Sequence, residues 1–281
     1  MLKVVTLFTA VLAPAFGGTP LELATKAFEA GEFAKVIELT ASTKAEGADY
    51  PRLQYLAGEA QLVLDAPAEA EQAFRNVLAQ RPKAVPAQVG LGRALIALAR
   101  ADEAAPVLEA ALKAEPKDVG ALTAHGLLLS NAGKPDEAKK DLEQAWKLAP
   151  KDAFVARGYV EVLLRSDDVP GAAAVAETFM TARPKHPMGP FLMAWTMERD
   201  GEDEQAIEQY QAALLLDANF LDAHKNLAIL CHTLSNTYRD KERTKLAYAH
   251  YERYFALGGK DAELKATYDG LVNFKDQILG S

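Results

Sequence analysis

The chain has 281 residues and a mass of 30.3 kDa, enough to bury a large apolar surface. Its 49% hydrophobic and 25% charged residues describe a folded chain, not a disordered one. Thirty-nine acids against 31 bases give a formal net charge of -8, which argues against nucleic acid and anionic membranes as main partners, since both require a basic footprint. The single cysteine, Cys231, excludes an internal disulfide and any Cys-x-x-Cys motif. Abundant alanine, few glycines and no Val/Ile/Thr-rich runs predict an all-α chain.

At the N-terminus, Met1-Leu2-Lys3 supplies a positive start and Val4 to Phe16 form an apolar run of 13 residues. Ala13-Pro14-Ala15 and Ala15-Phe16-Gly17 offer small residues where a signal peptidase reads. Residues 1–17 are therefore expected to be a secretory signal peptide, with a mature protein that is periplasmic or secreted. Thirteen residues at about 1.5 Å each are too short to cross a core of about 30 Å, and no cysteine lies near the cleavage site to carry a lipid. No stable membrane insertion is expected after cleavage.

From residue 18 onward three registers share one period. Val36, Ala70, Ala104, Ala138, Ala172 and Ala206 are each 34 residues apart, and Ala247 follows after 41. Pro82, Pro116, Pro150 and Pro184 repeat at the same spacing, as do Gly58, Gly92, Gly126, Val160, Ala194 and Ala228. Within residues 119–152, Leu122, His125, Gly126 and Leu129 form one face of a first helix. Asn131-Ala132-Gly133-Lys134-Pro135 breaks it, and Ala138, Leu142, Ala145 and Trp146 line a second helix that Pro150 ends. The small residues Gly126 and Ala138 fall where two antiparallel helices must approach closely.

This pattern resembles the tetratricopeptide repeat, a 34-residue helix-turn-helix family. The likeness rests on Ala57-Gly58, Leu91-Gly92 and His125-Gly126, followed by Ala70-Phe74-Val77-Pro82, Ala104-Leu108-Ala111-Pro116 and Ala138-Leu142-Ala145-Pro150. It covers residues 19–256 and departs from the family at Val160, where Gly or Ala is usual, and at Ala218, where Pro is. The resemblance implies an all-α right-handed superhelical solenoid, read as a single domain over 18–281. Its units fall near 18–50, 51–84, 85–118, 119–152, 153–186, 187–220 and 221–260. Thr19-Pro20-Leu21-Glu22 is a capping box opening the first helix. The seven extra residues of the last unit are expected to add one turn to each of its helices. Residues 261–278, with Leu264, Tyr268, Leu271 and Phe274 on one face, are expected to cap the array.

Catalytic chemistry is not expected. His125, His186, His224, His232 and His250 are scattered, and His224, Cys231 and His232 do not converge on one helical face, so neither a metal nor a cofactor is predicted. Met180, Met188, Met193 and Met197 read as core packing, not as a soft-metal box. Glu202-Asp203-Glu204 and Asp167-Asp168 fall at helix starts, where acids complement the helix dipole. Arg239-Asp240-Lys241-Glu242-Arg243 reads as a self-paired, solvated helix end, with a docking knob as the alternative.

What remains is a binding groove. The resemblance implies that the second, fifth, ninth, twelfth and thirteenth residues of each first helix line the concave face. That surface includes Arg52, Tyr55, Glu59, Val89, Arg93, Ile96, Thr123, Leu127 and Asn131. It continues through Phe154, Arg157, Glu161, Arg165, Met188, Phe191, Trp195, Glu198, Arg199, Lys225 and Ile229. With Glu29 and Asp222 it carries six bases and five acids, more basic than the chain as a whole. Tyr55, Arg93, Asn131, Arg157, Arg165, Phe191, Trp195, Arg199 and Lys225 are the candidate partner-binding residues. Trp195, flanked by Phe191, Arg165 and Arg199, is expected to anchor an apolar residue beside an acidic one. The Lys/Asn clamp of the chaperone-tail-binding subfamily has no counterpart at Tyr55/Glu59 or Val89/Arg93.

The function predicted is a non-enzymatic scaffold that holds a peptide or protein segment in this groove. Envelope biogenesis, secretion or pilus assembly and periplasmic chaperoning are the settings the resemblance implies. The alternative is a permanent subunit of an envelope complex, docking through its convex face or through the 235–245 insertion.

Overall fold

The computed structural model describes residues 18–41, 47–238 and 240–275, so the expected signal peptide, Arg239 and residues 276–278 of the expected cap lie outside the described residues. The described residues form fifteen α-helices and no strand. They sort into two compact units, one running to Pro116 and one from Lys117, and each is described by itself.

The first unit holds three helix pairs: α1 (Pro20–Glu29) with α2 (Phe33–Ala41), α3 (Tyr50–Val63) with α4 (Pro67–Gln80), and α5 (Val85–Ala97) with α6 (Ala101–Ala114). The second holds α7 (Val119–Asn131) with α8 (Pro135–Leu148), α9 (Ala153–Arg165) with α10 (Val169–Ala182), α11 (Met188–Asp200) with α12 (Asp203–Leu216), and α13 (Leu221–Tyr238) with α14 (Lys241–Ala256). α15 (Ala262–Val272) follows.

Helix ends are set locally. The Thr19 hydroxyl accepts from the Glu22 amide at 3.3 Å and Glu22 Oε2 accepts from the Thr19 amide at 2.9 Å, closing the capping box. In the second unit Asp118, Asp152, Asp168, Asp240 and Asp261 cap the helices that follow them through their carboxylates.

A fourth register appears at the turn inside each of the first six pairs. Gly31, Asp65, Ala99, Gly133, Asp167 and Gly201 all have positive φ, between 54° and 82°, and each is 34 residues from the next. One left-handed residue reverses the chain so that the second helix packs back on the first. Glycine occupies three of the six sites at no steric cost, whereas Asp and Ala must hold a conformation that L side chains resist.

Packing explains the small-residue registers. Val36, Ala70, Ala104, Ala138, Ala172, Ala206 and Ala247 are all fully buried. A Cβ added to Gly126 would sit 2.7 Å from Leu142 Cγ and 3.2 Å from the Ala138 carbonyl oxygen, so only glycine admits the large partner sixteen residues on. Gly58 faces Phe74 and Gly92 faces Leu108 in the same way. Val160 is matched in that register by the small Ala176, and both are buried in one cluster. The departure thus exchanges which helix carries the bulk. At Ala218 the turn is held without proline: Asp217 Oδ1 accepts from the Asn219 amide at 2.9 Å, and His224 Nε2 donates to the Ala218 carbonyl at 3.1 Å.

Two details differ from expectation. The seven extra residues of the last pair are unevenly shared: α13 has 18 residues where α7, α9 and α11 have 13, and α14 has 16 where α8, α10 and α12 have 14. α15 brings Leu264, Tyr268 and Leu271 against the core, with Tyr268 stacked on Tyr248 and Phe255 at 5.6 and 5.4 Å. Phe274 lies past the helix end and is 56% exposed, so it does not share the packed face of Leu264, Tyr268 and Leu271.

Candidate functional site

Each unit carries a cleft whose lining includes predicted groove residues. In the first, Leu21 and Thr25 of α1, Arg52, Tyr55 and Leu56 of α3, and Pro86 and Ala87 of α5 contribute to a mainly apolar cleft of about 570 Å³. Tyr55 is half-buried, its ring edge-on to Phe74 at 5.9 Å.

In the second unit, Glu161, Leu164 and Arg165 of α9 face Trp195, Glu198 and Arg199 of α11 across an open cleft of about 400 Å³. The two helices are equivalent first helices of neighbouring pairs. The Trp195 ring is half-buried, leaning on Phe191 at 5.9 Å, and it still lines the cleft. Leu164 escaped the sequence analysis although it is the twelfth residue of its unit, the position Glu198 holds in the next one.

Phe191 requires correction. It is 1% exposed and packs among Trp195, Tyr210 and Phe220, with ring centroids 5.9, 5.7 and 5.1 Å away, so it supports the indole from below and presents no surface to a partner. Thr123 and Val89 are likewise buried. Trp146, expected in the core, packs against it half-buried.

The expected basic character of this face is also corrected. Arg93 is held by both oxygens of Glu59, at 2.9 and 3.1 Å, across one repeat. Arg157 pairs with Asp222 at 2.6 Å, Arg199 with Asp167 at 3.3 Å and Lys225 with Asp261 at 2.7 Å. Arg165 pairs with Glu161 at 2.7 Å and also donates to Asn131 Oδ1 at 2.9 Å. Five of the six bases are thus matched by acids of the same repeat, of a repeat one or two away or of the terminal helix, Arg52 being the exception among the described residues. Such half-exposed pairs add at most about 1 kcal/mol each and chiefly fix the heads of long side chains.

The remaining chemistry-bearing groups serve packing. Cys231 is fully buried and burial pushes its thiol up to about 12, so it stays protonated and inert. His224 and His250 meet Nδ1 to Nδ1 at 2.8 Å. Because His224 Nε2 donates to the Ala218 carbonyl, a neutral His224 accepts at Nδ1 and His250 donates there. His232 reaches the Tyr251 hydroxyl at 3.4 Å, and Met188, Met193 and Met197 pack against the core. In the 240–245 stretch Arg243 pairs with Glu204 and Asp240, and Lys245 with Glu242. No described helix is long and apolar enough to cross a membrane.

Two sequence profiles, both described as tetratricopeptide repeat, match residues 64–126 and 123–187. Residues 64–187 are thus tetratricopeptide repeats. Solved structures carry the same architecture along most of the chain. A tetratricopeptide repeat protein from Parabacteroides merdae, 13% identical, aligns with 89% of this chain and 96% of its own at a TM-score of 0.65. A chain of the APC/C hetero-tetramer Cut9–Hcn1, 16% identical, aligns with 89% of this chain at a TM-score of 0.63, this chain spanning 48% of its length. PilW, described as a type IV pilus biogenesis factor, is 15% identical and aligns with 79% of this chain and 99% of its own at 0.56. At these identities the likeness is one of fold. No curated protein matches the sequence. The repeats imply a protein-protein interaction scaffold, and the fold is typical of non-enzymatic scaffolds.

Proposed function

We propose that this chain holds a peptide or protein segment against the cleft between α9 and α11, with Trp195 as the anchor. One observation carries the reading: a half-buried indole, propped from beneath by buried Phe191, lies open on a cleft walled by Leu164 and four charged side chains. A rigid aromatic at the centre of a polar rim has the composition of an interface hot spot, and its ordering cost is already met in the free protein. Tyr55 in the apolar cleft of the first unit is a second, separate surface of the same kind.

The setting we propose is the cell envelope, after export directed by residues 1–17. The leader pattern supports export, and the likeness to PilW is compatible with a role in pilus or secretion assembly. Protein purified from its native host is expected to begin between Phe16 and Thr19; an intact mass that retains Met1-Leu2-Lys3 removes this setting.

The groove is tested by capture from envelope extract with the full chain and with Trp195→Ala. The variant is expected to weaken the captured complex by about 2 kcal/mol, roughly thirtyfold. It should lose about 1–2 kcal/mol of stability, less than the 3–5 kcal/mol of a fully buried Trp. Full loss of stability with undiminished capture by the folded fraction would make Trp195 a packing residue and remove the groove.

A further inference from the structure

Glu198 is the one charged side chain in the α9/α11 cleft whose charge is unmatched. Its carboxylate accepts a single hydrogen bond, from the Tyr210 hydroxyl at 2.7 Å, and makes no ion pair with any described residue. The two arginines of the cleft are engaged elsewhere, Arg165 by Glu161 and Asn131 and Arg199 by Asp167. The nearby charge that acts on Glu198 is that of Asp203, and it has the same sign. Burial and Asp203 hold the carboxyl above its usual range, while the Tyr210 hydrogen bond draws it down.

The position is also exceptional within the chain. At successive 34-residue steps before Glu198 stand Leu164, Ser130, Ile96, Leu62 and Phe28; only Glu198 is acidic in this register. Packing accounts for part of this. Tyr210 stands where Phe74, Leu108 and Leu142 stand in earlier units, is fully buried, and needs an acceptor for its hydroxyl. A neutral amide meets that need equally well, and Asn226 already donates to the same hydroxyl at 3.3 Å. The negative charge is therefore left over, three residues from an open indole.

We infer that Glu198 and Trp195 together receive a lysine or arginine side chain of the bound segment, so that the cleft selects a basic residue next to an apolar one. This rests on the groove reading above and reverses the acidic preference expected from Arg165 and Arg199. The carboxylate matches the cation's charge, and the ring face adds attraction for the same group. A guest cation meets an unpaired carboxylate, whereas a guest carboxylate must share an arginine already paired with Glu161 or Asp167.

The test uses a random dodecapeptide display library selected on the full chain, on Glu198→Gln and on Trp195→Ala, with urea unfolding to show that each variant folds. Glutamine keeps the acceptor for Tyr210 and removes only the charge. Lys or Arg enriched beside an apolar residue, with affinity for the chosen peptide falling tenfold or more in both variants, supports the inference. Enrichment of Asp or Glu, or a basic peptide bound equally well by Glu198→Gln, overturns it. If Trp195→Ala abolishes binding of peptides that carry no basic residue, the groove stands and the cation preference falls. Selection that yields no binder to the wild-type chain overturns both.

Discussion

Ala99 holds φ at +56° in the register where Gly133 and Gly201 hold +73° and +82°, and replacing it by glycine should stabilise the protein. An L residue in the left-handed region carries a penalty of about 1–2 kcal/mol because its Cβ crowds the following carbonyl. The Ala99 side chain is exposed, so its removal forfeits no packing, and the turn hydrogen bond from its amide to the Ile96 carbonyl at 3.0 Å is unaffected. Against this relief stands the greater freedom of glycine in the unfolded chain, about 0.5–1 kcal/mol. The balance is a gain of about 0.5–1 kcal/mol for Ala99→Gly. Gly133→Ala, the mirror experiment one repeat on, should lose a similar amount. Repeat arrays need not unfold in one step, so urea unfolding is paired with native-state hydrogen exchange of α5 and α6, where the gain should concentrate. A destabilised Ala99→Gly, or a Gly133→Ala variant as stable as wild type, would refute the left-handed turn as the element that closes the first six helix pairs.

Ala138→Leu forces an isobutyl group into the fully buried crossing of α7 and α8, and should lose about 1–3 kcal/mol by overpacking; a loss below about 0.5 kcal/mol in urea would show that the helices do not cross there. Burial holds His224 below its usual value, and burial together with His224 holds His250 down at about 4. The unfolded chain binds these protons from about pH 6.5 downward while the folded chain does not, so the stability is complete above pH 6.5 and drains between pH 6.5 and 4. His250 alone should account for on the order of 2–3 kcal/mol of that loss. Urea midpoints measured from pH 8 to 4.5 should fall accordingly, and His250→Asn should flatten the profile; an unchanged slope would contradict the buried neutral pair.

The fold was legible because close approach leaves so few residue types. Where Gly126 meets Leu142, one added carbon collides, so the 34-residue period is written in residues that could scarcely be anything else. The left-handed register was harder to see, since glycine, aspartate and alanine all occupy it and share only a backbone angle. The groove was less legible for a different reason. A helical position gives a side chain's direction, yet not what covers it, and Phe191, at an expected groove position, is sealed under Trp195, Tyr210 and Phe220. Charge misled in the same way: counting six bases and five acids along one face gives no pairings, and the stacking of repeats brings Glu59 and the uncounted Asp261 to within 3 Å of Arg93 and Lys225.

Because the repeats are successive solutions to one packing problem, they form an internal control that separates scaffold from recognition. The crossing position is alanine in six of seven pairs and fully buried in all, which is what a shared steric limit produces. The ninth position runs Glu59, Arg93, Leu127, Glu161 and Trp195, with no common size, charge or polarity, so no packing requirement shared by the pairs dictates it. The first four of these differ without leaving an unmatched charge, since Arg93 pairs with Glu59 and Glu161 with Arg165. In the α11/α12 pair the compensation stops: Tyr210 brings a hydroxyl into the core, Glu198 answers it with more charge than it needs, and Trp195 lies open beside both. That unmatched charge beside an open indole, absent from the matching positions of the earlier repeats, is what the proposal of a partner on α11 rests on.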